Sequence, residues 1–149
     1  MKRTHYNHAK KQEGMFTVSE LLQACEIKQG IFYADIEKRY LPDGIKVQYG
    51  DGVRTLYSRH DARQIFIFGK LVSLGIQRKH AANITQKFWP ENFSDAWAIV
   101  AGFEDGNPRI VSGNKPETLL KTLPDQLAGV VLDLRNLIAE IDGKLDGLK

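Results

Sequence analysis

The chain has 149 residues, of which 42% are hydrophobic and 26% are charged, and its formal net charge is +3. This length suffices for one ordinary domain, or for a small domain with an accessory element. No run approaches the roughly 18 to 20 uncharged apolar residues of a membrane span, and no apolar core of a signal peptide follows the first charges. A single cysteine, Cys25, allows neither an internal disulfide nor a cysteine-rich zinc site. We therefore expect a cytoplasmic protein that contacts no membrane and needs no cofactor.

The charges are unevenly distributed along the chain. Residues 1–90 carry 15 Lys+Arg and 8 Asp+Glu, whereas residues 91–149 carry 6 and 10. Such asymmetry is typical of a chain in which one part meets a polyanion and the other meets protein, although chance clustering of solvated charge explains it equally well. Residues 1–15 are predicted to form a flexible basic arm.

Two short helices are predicted next. The capping box Thr17-Val-Ser-Glu20 indicates that a helix begins there, with Leu21, Leu22 and Cys25 pointing inward. A second helix is predicted from about Lys28 to Arg39, because Ile31, Phe32 and Ile36 form an apolar stripe and Pro42 ends the segment.

Period-two alternation between Ile45 and Tyr57 predicts a β-hairpin. The turn is expected at Gly50-Asp-Gly52, because a glycine after aspartate accepts the positive φ of a tight turn. Residues 16–88 are predicted to form one domain, and this hairpin is its candidate wing.

Two further helices complete that region. Ser58 is expected to cap a helix over Arg59 to Leu74 that Gly75 ends, and Gln77 to Lys87 is predicted as the next. Pro90 to Asn92 mark the predicted boundary between this domain and a connector region, 89–122. Within the connector, residues 96–103 and 109–112 suggest a second small hairpin.

The last segment, 123–149, has the most regular periodicity. Two apolar series repeat every seven residues and predict an amphipathic helix that pairs with its copy as a coiled coil. A helix docked on its own domain would give a similar pattern. The residues expected at the dimer seam are Leu127, Val131, Leu134, Ile138, Ile141, Leu145 and Leu148.

Four segments taken in order resemble a known family. They are Phe16-Thr-Val-Ser-Glu-Leu-Leu-Gln-Ala-Cys-Glu-Ile27, Ile31-Phe-Tyr-Ala-Asp-Ile-Glu-Lys-Arg-Tyr-Leu-Pro42, Leu56-Tyr-Ser-Arg-His-Asp-Ala-Arg-Gln-Ile65 and Leu71-Val-Ser-Leu-Gly-Ile76. Their order and spacing resemble the reader head of MerR-type bacterial transcription regulators, over less than half of the chain. Three features depart from that pattern. Glu26 replaces the usual turn glycine, Lys28-Gln-Gly30 replaces the Ser-Pro-Arg opening of the recognition helix, and the two adjacent aromatic residues expected in that helix are reduced to Phe32-Tyr33 one register away. Excisionase-type heads fit Ile31 to Pro42 about as well.

The predicted fold is mainly α with two small β-hairpins: a winged helix-turn-helix head, a middle hairpin region and a C-terminal coiled-coil helix. The resemblance implies the head and the coiled coil, and with them a homodimeric regulator that binds double-stranded DNA and meets RNA polymerase at a promoter. Helix and wing side chains would contact base edges and phosphates. The expected DNA-binding residues are Lys28, Gln29, Gly30, Tyr33, Lys46, Tyr49, Arg54, Tyr57 and Arg59, and core packing is an equal alternative for Tyr57.

Other functions stay open beside this one. The same head could serve an excisionase-like or architectural factor of a mobile element. The aromatic residues Trp89, Phe93, Trp97 and Phe103 could line a ligand pocket within 89–122, although core packing is the favoured interpretation of them. Catalysis is not expected, because no paired-carboxylate, triad or metal-ligand spacing occurs. For Cys25, a buried small apolar role is favoured over that of an effector thiol.

Overall fold

The computed structural model describes residues 14–88, 97–104, 107–115, 117, 121 and 130–148. The chain divides into two compact units, Met1–Phe66 with Ile141–Lys149, and Ile67–Glu140. The described residues contain five helices and two three-stranded antiparallel sheets, so the fold is mixed α and β rather than mainly α. Both expected hairpins are present, and each gains a third strand that the sequence does not indicate.

The first unit begins with two short helices, α1 (Val18–Cys25) and α2 (Gln29–Glu37). The predicted capping box is confirmed: the Glu20 N–H donates to Thr17 Oγ1 over 3.2 Å, and the Thr17 N–H donates to the Glu20 carboxylate over 3.2 Å. Glu26 ends α1 in the left-handed conformation, at φ 56. The N–H of Ile27 then donates to the carbonyl of Leu22, so the chain reverses between the helices without a glycine.

A three-stranded sheet follows α2. Its strands are β1 (Phe16–Thr17), β2 (Ile45–Tyr49) and β3 (Gly52–Tyr57), in the order β1-β3-β2. The predicted hairpin is confirmed, but its turn differs in detail. Tyr49 pairs with Gly52, so the two turn residues are Gly50 and Asp51, and Gly50 takes the positive φ, 61, that the sequence predicts at Gly52.

Helix α3 (Arg59–Ser73) begins at the predicted cap, because the Asp61 N–H donates to Ser58 Oγ over 3.0 Å. It ends as predicted at Gly75, whose φ is 96. Buried side chains of the first unit include Leu21, Phe32, Leu56, Tyr57, Ile65 and Ile141. The predicted stripe of α2 needs one correction: Ile31 is 43% exposed, since helical spacing turns Phe32 and Asp35 inward instead.

The second unit contains α4 (Arg78–Phe88) and a second sheet. The strands β4 (Trp97–Glu104) and β5 (Asn107–Gly113) form the second predicted hairpin, and β6 (Val130–Asp133) pairs with the other edge of β4. Helix α4 lies against β5.

The C-terminal helix is shorter than predicted. Helix α5 spans Leu134–Asp146, and the expected helix over 123–133 is wrong at Val130–Asp133, which form β6. The physical reason is local: β-branched valines suit a strand, and Asp133 Oδ1 accepts the N–H of Asn136, an N-cap that starts the helix at Leu134. Leu127 lies outside the described residues.

The apolar series of α5 is buried by the chain itself. Leu134, Ile141 and Leu145 are 1%, 0% and 3% exposed, so they cannot form the exposed seam of a coiled coil, and the predicted dimer seam is wrong at these positions. Ile138 and Leu148 are half-buried, and Val131 lies in β6. The alternative of a helix docked on its own domain describes α5 better.

Among the described residues, no helix has the length and apolar character needed to cross a membrane.

Candidate nucleic-acid interface

The exposed start of α2 carries four of the residues expected to bind DNA. Lys28, Gln29, Gly30 and Tyr33 are all exposed, and Lys28 is the N-cap of the helix. The ring of Tyr33 is 49% exposed and lies edge-on to the buried ring of Phe32, with 5.5 Å between centroids. Phe32 thus fixes the position of an aromatic side chain at the surface of the unit.

A cleft of about 390 Å³ opens beside this helix. It is lined by Thr17, Val18, Ser19, Tyr33, Val53, Arg54 and Thr55. The cleft exists because β1 pairs with β3 only at Leu56 and Tyr57, so the outer part of β3 has β2 on one side and the cleft on the other. The start of α1, Tyr33 of α2 and strand β3 therefore meet at one concave surface.

The β2–β3 hairpin carries two exposed cations, Lys46 and Arg54. Lys46 lies opposite Thr55, and Arg54 lies opposite Val47. Because successive residues of a strand point to opposite faces, Lys46 and Arg54 project from different faces of the hairpin. The backbone of Tyr49 is at the end of β2, and its side chain lies outside the described part of the structure.

Tyr57 is not a surface residue. Its side chain is 2% exposed and packs edge-on against Phe32 with 5.9 Å between centroids. Burial raises the pKa of its phenol to about 12, and Asp43 adds to the effect. The expectation that Tyr57 contacts DNA is therefore wrong, and the alternative of core packing is confirmed.

Arg59 is also placed differently from the expectation. Its guanidinium pairs with Asp146 over 2.7 Å and with Asp142 over 3.4 Å, and it lies 5.5 Å from the centroid of the Phe16 ring. The fold therefore uses Arg59 to hold α5, so we correct its assignment as a DNA ligand.

Arg63, one turn further along α3, strengthens this attachment. It donates to both carboxylate oxygens of Asp142, over 3.0 and 2.7 Å. These hydrogen bonds lower the pKa of Asp142 against the opposing effect of burial. Two arginines of α3 and two carboxylates of α5 thus form an ion-pair cluster within the first unit.

Cys25 has an inert environment. Burial raises the pKa of its thiol to about 12, a shift that Lys144 opposes, and Sγ lies 3.9 Å from the carbonyl oxygen of Ala62. A protonated, half-buried thiol is a weak nucleophile, which supports the packing role.

The cleft contains residues that the sequence did not single out. Ser19 and Thr55 offer hydroxyls there, and Val53 offers an apolar side chain that is 61% exposed. Alternation along β3 could have indicated Val53 and Thr55, since both share a face with Lys46. For Ser19, the sequence indicates only a position in the first turn of α1 and nothing about the cleft.

Among the described residues, no group of three His, Cys, Asp or Glu side chains could hold a metal ion. Trp89, Phe93 and most of the connector region lie outside those residues, so the expected ligand pocket there has no structural description. The chain matches no protein-family model, and no curated protein is significantly similar to it.

Proposed function

We propose that the first unit is a winged helix-turn-helix head of MerR type that binds double-stranded DNA. In this proposal α1 and α2 form the helix-turn-helix, with the reversal at Glu26 between them, and the β2–β3 hairpin is the wing. The observation that carries it is the concave surface at which the start of α1, Tyr33 of α2 and the wing residue Arg54 meet. Gln29 and Gly30 are exposed in the preceding turn of α2.

The chemistry of this surface suits a duplex. An α-helix fits the major groove, where Gln29 can make paired hydrogen bonds to adenine and Lys28 can donate to guanine. Gly30 adds no side chain, so the backbone of α2 can approach the bases. Tyr33, Ser19 and Thr55 supply hydroxyl donors of the kind that contact phosphates.

The wing would supply sequence-independent affinity. Lys46 and Arg54 project from different faces of the hairpin, so they would reach different phosphates or a phosphate and a groove. We expect them to fix the register of α2 on the duplex without selecting bases.

A salt titration tests the proposal. Arg54→Ala should weaken binding to any duplex and reduce the slope of log affinity against log salt by about 1, because one phosphate contact is lost. Gln29→Ala should change sequence preference and leave the slope unchanged. Lys115→Ala removes one exposed charge of the second unit and serves as control. Identical salt slopes for wild type and Arg54→Ala would overturn the wing assignment.

A second candidate is an architectural or excision factor that uses the same head. One observation favours it: Leu134, Ile141 and Leu145 are buried within the chain, which removes the coiled-coil seam expected of a dimeric regulator. Sequencing of the DNA bound in cells separates the two roles. Single symmetric sites inside promoters would support the regulator, and tandem sites at the end of a mobile element would support the architectural factor.

A further inference from the structure

Helix α2 exposes apolar side chains beside the polar ones at its start. Ile31, in the first turn of the helix, is 43% exposed, and Ala34 is exposed as well. The two residues are three positions apart, so they are neighbours on the helix surface. The buried side of α2 is formed by Phe32 and Asp35. Ile31 and Ala34 therefore add an apolar element to the surface that carries Gln29.

The fold gains little from an isoleucine at position 31. Its side chain does not belong to the core, and isoleucine favours a helix less than alanine or the straight-chain polar residues do. Isoleucine has no hydrogen-bond donor, so it cannot contact a phosphate as Lys28, Gln29 and Tyr33 can. The interaction that Ile31 can add to this surface is contact with an apolar group.

We propose that Ile31 recognises thymine in the major groove through contact with its C5-methyl group. This inference rests on the proposed function, in which α2 enters that groove. Among the groups that distinguish base pairs there, the thymine methyl is the apolar one, and the others are hydrogen-bond donors and acceptors. Gln29, two residues earlier, suits adenine. Ile31 and Gln29 together then favour A·T base pairs in the target.

The place of Ile31 along the helix agrees with this role. A recognition helix contacts base edges with its N-terminal residues, and Ile31 is the third residue of α2. Glu37, whose exposed carboxylate would repel phosphates, is the last residue of the helix. It lies about 9 Å further along the helix axis, beyond the residues that contact base edges.

The small extent of the apolar surface argues against a protein partner. A specific protein–protein interface involves about 20 to 30 residues on each side, with an apolar centre. Ile31 and Ala34 are followed along α2 by Glu37 and Lys38, which are both exposed. Two apolar side chains beside charged ones are too few for such a centre, whereas a single methyl group needs no more than this.

The test removes the methyl group and the side chain separately. Wild-type full chain first selects its preferred duplex from a randomised pool, and that duplex is remade with deoxyuridine in place of each thymine in turn. Deoxyuridine pairs as thymidine does and lacks only the C5-methyl group. We expect at least one position at which the replacement weakens wild-type binding about fourfold, the loss for one buried methyl-sized group. At that position Ile31→Ala should bind the two duplexes equally.

The matched control is Val53→Ala. Val53 is also a β-branched apolar residue, and it is 61% exposed on β3 rather than on α2. This variant should keep the preference for thymine. Ile31→Val retains a β-branched apolar side chain and should keep the preference as well. Thermal unfolding confirms that each variant is folded.

The outcomes separate this inference from the proposed function. Selective duplex binding without loss at any deoxyuridine position overturns thymine recognition and leaves the head. A thymine preference that survives in Ile31→Ala overturns the assignment and leaves a protein partner as the use of this side chain. Loss of the preference in Val53→Ala also overturns it, because the effect would then not depend on α2. Absence of wild-type binding to any duplex of the pool overturns both.

Discussion

Arg63 holds Asp142 through two hydrogen bonds, from Nε over 3.0 Å and from Nη2 over 2.7 Å. The two residues are 79 positions apart in sequence. Because Ile141 and Leu145 are buried beside them, the end of α5 is part of the first unit rather than a projecting helix. A fragment ending near residue 88 would lack this part of its fold.

A double-mutant cycle measures this ion pair. Arg63→Ala and Asp142→Ala should each reduce the free energy of unfolding, and the coupling between them should be about 1 kcal/mol, the upper end for pairs that keep some exposure. The matched control is Lys70 and Glu140, whose charged atoms are 3.5 Å apart and whose side chains are 39% and 42% exposed. We expect a coupling close to zero there. Similar coupling free energies in the two cycles would show that the paired hydrogen bonds between Arg63 and Asp142 add no stability beyond that of an ordinary surface ion pair.

Alkaline pH should destabilise the protein through a half-buried thiol and a buried phenol. Burial raises the pKa of both Cys25 and Tyr57 to about 12, so in the folded state they hold their protons to higher pH than in the unfolded chain. Their contribution is complete below the unfolded pKa values, about 9 for Cys25 and about 10 for Tyr57, and is lost as the pH rises from there towards 12. Urea titrations between about pH 8 and pH 11 should show the free energy of unfolding fall across this range.

Two variants identify the groups behind that fall. Cys25→Ala and Tyr57→Phe remove one titrating group each, and the pH dependence should be weaker in each and weakest when they are combined. A thiol reagent added at about pH 8 provides a second measurement, because the half-buried Cys25 with its raised pKa should react more slowly in the folded protein than in the unfolded chain. Equal labelling rates in the two states would contradict the raised pKa of the thiol.

The sequence predicts local features of this fold more readily than distant ones. The caps at Thr17 and Ser58 and the stop at Gly75 depend on residues a few positions apart, and the structure confirms all three. The strand β6 and the burial of α5 do not follow from the sequence, because the partners of Val130–Asp133 and Ile141 lie far away along the chain. A seven-residue apolar repeat does not distinguish a helix paired with its copy from one packed on its own chain.

The candidate site shows the same division. The exposure of Lys28 and Gln29 could be predicted, because both are polar residues at the N-terminus of α2. Tyr33 directly follows the buried Phe32 and so points to a different side of the helix. Arg59 could not be assigned correctly, because its partners Asp142 and Asp146 come from the other end of the chain. The sequence leaves two alternatives for Tyr57 for a related reason. Period-two alternation predicts that a strand has two faces, but it does not say which face is buried. The contact with Phe32 shows that Tyr57 lies on the buried face.

Two helix ends carry strain that glycine would relieve. Glu26 and Arg39 follow α1 and α2 with φ values of 56 and 60, in the left-handed region that favours glycine. Glu26→Gly and Arg39→Gly should each raise the free energy of unfolding by about 0.5 kcal/mol, a gain limited by the greater freedom of glycine in the unfolded chain. Glu37→Gly, within α2, is the control and should destabilise by about 1 kcal/mol. Destabilisation by both glycine substitutions at the helix ends would contradict these backbone conformations.

Gly44 and Gly30 should respond in opposite ways to the same substitution. Gly44 has φ 75, and a Cβ there would lie 2.8 Å from the Leu56 carbonyl oxygen and 2.9 Å from Thr55 Cγ2. Since the backbone of β3 cannot move away without breaking its pairing, Gly44→Ala should cost at least about 2 kcal/mol of stability.

Gly30 lies in α2 without a positive φ, and the space that a Cβ would occupy there is open, with no neighbouring element of the described fold within 4 Å. Gly30→Ala should therefore stabilise the protein by about 0.5 to 1 kcal/mol, because alanine is the better helix former. If α2 enters the major groove at this point, the added methyl group should also weaken DNA binding. Thermal unfolding and duplex titration of the same variant measure both effects, and an increase in stability with unchanged affinity would show that Gly30 does not face the duplex.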